Sequence, residues 1–143
     1  MKNGIYHLII RFPKKKMIQV GRLGAFLFPK GFYVYTGSAQ TNLGKRISRH
    51  LSKEKKLHWH IDYLLQFGEI VSVLTIDGVK NRECVCSDKI ALTLGGRAVV
   101  EKFGSSDCRC KTHLYFFEHT PKIDSMLQGF PKYKVVKKGN FTG

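Results

Sequence analysis

Gly4-Ile5-Tyr6-His7-Leu8-Ile9-Ile10-Arg11-Phe12 decides how this chain begins. β-Branched and aromatic residues crowd Ile5 to Phe12, and Pro13-Lys14-Lys15-Lys16 breaks the run, which predicts a strand ending in a turn. Met17 to Val20 can return as a second strand. Gly21, Gly24, Pro29 and Gly31 then punctuate two further short strands, Ala25 to Phe28 and Phe32 to Thr36, so the chain is expected to open as a small antiparallel meander.

From Asn42 the hydrophobic period lengthens. Leu43, Ile47 and Leu51 recur at four-residue intervals, predicting a helix with Thr41 or Asn42 as its N-cap and one buried stripe. Its wet side is expected to carry Lys45, Arg46, Arg49, His50 and Lys53, with Arg46 and His50 sharing a face. Trp59 to Phe67 reads as a second helix closed by Gly68. Beyond it the sequence predicts a strand over Ile70 to Ile76, a turn at Asp77-Gly78, a helix from Arg82 to Leu94 ending at Gly95-Gly96, a strand over His113 to Glu118, a short helix over Ile123 to Leu127 and an extended basic tail around Tyr133 to Val136. The order implies an α+β fold in which a small antiparallel or mixed β-sheet is flanked by helices.

With 143 residues, 43% of them apolar, the chain is long enough for one domain with a real core, so residues 1–143 are expected to form a single domain whose basic C-terminal tail spans about 130–143. Lys and Arg total 25 against 10 acidic residues, and residues 1–53 hold eleven of the cations and no acid. Such a surface attracts phosphate backbones by counterion release, which makes nucleic acid the leading partner and an anionic membrane surface a distant second, so that no membrane partner is expected. No stretch has the layout of a secretory signal or the roughly 20 apolar residues of a membrane span, which points to a soluble, cytoplasmic protein.

Two motifs carry chemistry. Gly4-Ile5-Tyr6 and Tyr33-Val34-Tyr35-Thr36-Gly37, followed by Asn42-Leu43-Gly44-Lys45-Arg46-Ile47, resemble the GIY-YIG nuclease superfamily. A wider similarity takes in His58-Trp59-His60-Ile61-Asp62-Tyr63-Leu64 and Gly104 to Leu114, and it resembles the branch of small standalone predicted Uri-type endonucleases. The resemblance implies a metal-dependent endonuclease that hydrolyses phosphodiester bonds, in DNA before RNA. It implies Tyr6 as the group that accepts a proton from the attacking water or orients it, Tyr35 beside it, Arg46 and His50 on the phosphate, and Glu83 as ligand to Mg²⁺ or Mn²⁺. Asp88 and Asp107 are lesser carboxylates for that metal.

Those residue types suit the reaction. A guanidinium grips a phosphate bidentately where an ammonium offers a point charge. Hard Mg²⁺ takes oxygen ligands and keeps waters, so one carboxylate plus the substrate phosphate is enough. Lys45, Arg49, Lys53, His58 and His60 are expected to hold the nucleic-acid backbone. By alternation along the strand, Tyr6 and Ile5 point to opposite faces, Ile5 toward the core.

The sequence departs from the family pattern in two places. About 27 residues separate the two motifs, so a hairpin, roughly Arg11 to Phe28, must be inserted between them. The late phosphate-binding asparagine of the family has no counterpart. The rival reading is a catalytically inactive nucleic-acid-binding module of the same fold, with Phe32, Tyr33, Trp59 and Tyr63 as stacking surfaces. Cys84, Cys86, Cys108 and Cys110 could stay free, pair, or join His113 around zinc. Cys84 and Cys86 diverge on a helix and cannot both ligate one ion.

Overall fold

The computed structural model describes residues 4–39, 41–52, 55–77, 95–105, 111–121 and 134–138. In chain order these form β1 (Gly4–Phe12), β2 (Lys16–Val20), β3 (Gly24–Phe28), β4 (Gly31–Ala39), α1 (Leu43–Leu51), α2 (His60–Leu65), β5 (Glu69–Asp77), β6 (Arg97–Ala98), β7 (Leu114–Phe117) and β8 (Lys134–Lys138). The architecture is the expected small α+β fold. Six strands make one sheet in the order β6-β7-β4-β1-β5-β8, and every described pairing in it is antiparallel.

The first four strands are not one meander. β1 pairs directly with β4, Gly4 opposite Ala39 through Phe12 opposite Gly31. The intervening β2 and β3 pair only with each other, as a separate two-stranded sheet. This is the inserted hairpin, and it leaves the β1–β4 register undisturbed because a closed insertion changes neither partner strand.

β1 lies at the centre of the sheet and is buried on both faces, which is why its sequence reads as a near-continuous apolar run rather than an alternation. Tyr6, Leu8, Ile10 and Phe12 enter the larger core, where α1, α2 and the hairpin supply Leu43, Ile47, Ile61, Leu64, Ile18 and Phe28. Ile5 and Ile9 join Val34, Val71, Leu74, Ile76, Tyr115 and Phe117 in a smaller core on the other face. Ile5 faces a core as expected, the smaller one, and Tyr6 on the opposite face enters the larger, helix-covered one.

α1 also departs from the four-residue stripe. Its buried residues are Leu43, Ile47 and His50, and Leu51 is exposed. Seven residues advance an α-helix by nearly two full turns, whereas eight overshoot by about 80°. His50, seven after Leu43, therefore takes the inward slot assigned to Leu51. Asn42 caps the helix as expected, accepting the Lys45 amide on Oδ1 at 3.1 Å. At the other end Lys55 Nζ donates to the carbonyls of His50 (2.9 Å) and Ser52 (2.7 Å), closing the last turn with a cation.

The C-terminal tail was expected to be merely extended; Lys134–Lys138 pairs with β5 as a sheet edge. The two-residue β6 was not foreseen. The helices expected over 82–94 and 123–127 lie outside the described residues. No described helix is long and apolar enough to cross a membrane.

Candidate active site

Tyr6 and Gly37 are partners across β1 and β4. A Cβ on Gly37 would collide with Cζ and the hydroxyl of Tyr6, so the glycine is the hollow in which the phenol lies. Gly37→Ala is expected to push the ring out of this hollow and cost about 1–3 kcal/mol by overpacking, read as a lower urea midpoint.

Held there, Tyr6 points its hydroxyl at α1, and Tyr6 Oη lies 2.7 Å from Nε2 of His50. Tyr35, two residues before Gly37, stands next to both: its ring centroid is 6.4 Å from that of Tyr6 and 6.3 Å from that of His50. Gly104, in the left-handed region at φ 68°, lets its backbone press against the Tyr35 ring. All three side chains are buried, Tyr6 and His50 at 2% exposure and Tyr35 at 7%.

Burial holds His50 neutral. Its pKa is lowered to about 4, chiefly by desolvation; the Asp62 carboxylate pulls the other way, and the charges of Lys55, Arg49 and Arg46 add to the lowering. Nδ1 of this imidazole makes no hydrogen bond with a described residue. With Nε2 accepting, the Tyr6 hydroxyl donates its proton to His50.

A second layer lies over this pair. The Trp59 ring packs at a tilt on His50, with centroids 5.6 Å apart, and two guanidiniums cover the indole, Arg46 at 4.6 Å and Arg49 at 4.3 Å from the ring centroid. Arg46 also donates from Nη1 to the Ser38 carbonyl at 3.1 Å, which ties the helix to the end of β4. It is half-buried at the rim, with further N–H donors beyond the one given to Ser38.

Nη1 and Nη2 of Arg49 grip the Asp62 carboxylate at 3.0 and 2.9 Å, and Nη2 also donates to the Lys56 carbonyl at 3.0 Å. Its fork is filled from inside the protein, so Arg49 braces α1 against α2. Asp62, fully buried, also accepts the amides of His58 and Trp59 at 2.9 Å each. Desolvation works against its ionisation, but the hydrogen bonds from Arg49, Trp59 and His58 outweigh it and hold the pKa below the usual carboxylate value.

His50 is corrected from the wet side to the interior. His60 accepts the Gly104 amide on Nδ1 at 2.9 Å and packs on Phe103, so it is a fastener between α2 and the 95–105 segment rather than a surface group. Lys45 is exposed, and His58 is exposed against Trp59. Glu83, Lys53, Asp88, Asp107 and the four cysteines lie outside the described residues. Asp62 is the functional residue that sequence reasoning missed. Its position at the third residue of a helix, after two backbone amides that need an acceptor, was the local signal for it.

Burial of two histidines also sets an acid sensitivity. His7, paired with Thr36 Oγ1 at 2.8 Å inside the sheet, has its pKa lowered by burial to about 3. In the unfolded chain both His7 and His50 titrate near 6.5. Below that value the unfolded state binds more protons than the native state, so stability is present above about pH 6.5 and is lost as pH falls toward 4 and 3. The urea midpoint is expected to be level near neutrality and to drop steadily on acidification; a midpoint independent of pH over that window would contradict the burial of both rings.

A family model described as "Domain of unknown function DUF123" matches residues 5–134, and the chain belongs to that family. The chain matches no curated protein and no solved structure.

Proposed function

We propose that this DUF123 protein is a GIY-YIG-type endonuclease, cytoplasmic and metal-dependent, that hydrolyses phosphodiester bonds in nucleic acid, DNA before RNA. The observation that carries the reading is the 2.7 Å hydrogen bond between Tyr6 and a neutral His50, with Tyr35 alongside and Arg46 at the rim. Residues from two strands and a helix, distant in sequence, come together there, and a phenol, an imidazole and a guanidinium are groups that phosphodiester hydrolysis can use, which supports the reading.

In this reading the phenol oxygen of Tyr6 accepts a hydrogen bond from the attacking water while its own proton is held by His50. The pair thus orients the water and offers it a path for its proton. Arg46, fixed by Trp59 and Ser38, meets the negative charge that builds on the non-bridging oxygens. Arg49 and Asp62 keep Trp59, and through it Arg46, in place.

Mg²⁺ or Mn²⁺ would supply further charge stabilisation and a more acidic water. Among the described residues no three metal-ligating side chains gather, and the nearby Asp62 carboxylate is filled by Arg49 and two amides. The described residues alone do not fit a divalent ion, and the metal assignment rests on Glu83.

The burial of Tyr6, Tyr35 and His50 favours a second reading, a nucleic-acid-binding module in which these rings are packing and only the cationic rim meets the strand. The experiment that separates the two is incubation of the wild type with end-labelled single-stranded, duplex and branched DNA in Mg²⁺, Mn²⁺ or EDTA. Metal-dependent product bands support the nuclease. Intact DNA that still shifts on a native gel supports the module.

A further inference from the structure

The hairpin inserted between the two motifs has an outer face that nothing described covers. Alternation sends Ile18, Val20 and Phe28 into the core and leaves Met17 and Leu27, cross-strand partners, 59% and 49% exposed. Around this apolar pair the hairpin and its flanks expose Lys14, Lys15, Arg22 and Lys30, within residues 1–53, which hold no acidic residue.

The hairpin is also held firmly. Gly21 abuts the Tyr63 hydroxyl in its turn, and Lys16 Nζ sits 4.6 Å over the ring of Phe67, just beyond α2. Its buried side chains share one core with those of α1 and α2, so hairpin and helices cover the same face of the sheet, the face on which Tyr6 meets His50. A cationic ribbon is therefore fixed on the side of the molecule that carries the candidate site.

We infer that the outer face of the β2–β3 hairpin is a docking surface for duplex nucleic acid, gripping phosphates with Lys14, Lys15 and Lys30 at its open end while Met17 and Leu27 lie against the sugar and base edges. The inference rests on the nucleic-acid reading above and deepens it: the hairpin does the targeting that an isolated nuclease core lacks. Three features select this occupant. A two-stranded ribbon fits the major groove of a duplex. The uninterrupted positive charge complements a polyphosphate. Two exposed apolar side chains are too few to anchor a protein in a lipid interface.

The test is the salt dependence of binding of the full chain to a fluorescein-labelled duplex, read by anisotropy for the wild type and for Lys14→Gln/Lys15→Gln/Lys30→Gln. The triple variant is expected to melt like the wild type, since all three side chains are exposed, and to bind at least ~10-fold more weakly near 0.1 M salt. Its log–log salt slope should be shallower by about 2–3, roughly 0.9 for each phosphate that the variant no longer neutralises. Equal affinity and slope in the two proteins would overturn the inference, as would a wild type with no affinity for DNA. So would capture of phosphatidylserine–phosphatidylcholine vesicles that is lost in Met17→Gln/Leu27→Gln while the triple variant binds DNA as the wild type does. Binding without cutting sinks the nuclease reading alone, because the slope comparison reads docking and not turnover.

Discussion

Tyr6→Phe is expected to cut DNA ~10²–10⁴-fold more slowly than the wild type, the usual contribution of a positioned proton-transfer group. The substitution removes one oxygen. The ring still fills the hollow over Gly37, and its packing on Tyr35 and the core persists. His50 Nε2 loses its partner, so a stability loss of about 1–3 kcal/mol accompanies the change. That loss leaves a folded protein, and DNA affinity, set by cations elsewhere, should stay close to that of the wild type. His50→Gln separates positioning from proton transfer: an amide can accept the phenol's hydrogen bond but cannot take its proton, so cutting should fall with folding retained. Single-turnover rates and duplex binding, measured side by side, check both variants. Rates equal to the wild type in Tyr6→Phe would remove Tyr6 from the chemistry.

Asp62→Ala is expected to be the most destabilising single substitution near the site, by ~3 kcal/mol or more. Removing one partner of a buried ion pair costs about 3–5 kcal/mol; here Arg49 is partly exposed and can recover some water, which places the electrostatic part at the low end. The amides of His58 and Trp59 lose their acceptor as well, and each buried donor left unpaired adds to the cost. A domain of ordinary stability, about 5–15 kcal/mol, would lose a large share of it. Asp62→Asn keeps an acceptor and should lose less. The urea midpoints of the two variants measure this. Whatever protein remains folded should also bind DNA more weakly, because the brace that holds Trp59 under Arg46 is gone. A midpoint for Asp62→Ala close to that of the wild type would show that the Arg49–Asp62 pair supports nothing.

Most of the sheet was legible in the sequence because its strands are bounded by local chemistry. Pro13 and Gly21 lie just past the ends of the first two strands, Gly24 and Gly31 begin the next two, and the excess spacing between the two motifs announced the hairpin. Which strands pair was less legible. The direct β1–β4 pairing, and with it the placing of Tyr6 over Gly37, follows from closure of the inserted hairpin, which no local signal records.

The site was legible in part. Tyr6, Tyr35 and His50, all named from the sequence, lie together, and Arg46 packs on the Trp59 that covers His50. The direction of His50 was misjudged because a four-residue spacing drifts off the helix face and a seven-residue spacing does not. The tasks of Arg49 and His60 could not be read at all. Their partners, Asp62 and Gly104, lie 13 and 44 residues away, and a charged side chain on an amphipathic helix reads the same in sequence whether it meets water or a distant carboxylate.

The most direct test of the central claim is cleavage and binding of one labelled duplex measured together for the wild type and Glu83→Ala in Mg²⁺. Product bands from the wild type, none from the variant, and equal retardation of the duplex by both proteins are expected. Equal cutting by the two proteins would contradict the assignment of Glu83, and a wild type that binds the duplex and leaves it intact would contradict the nuclease itself.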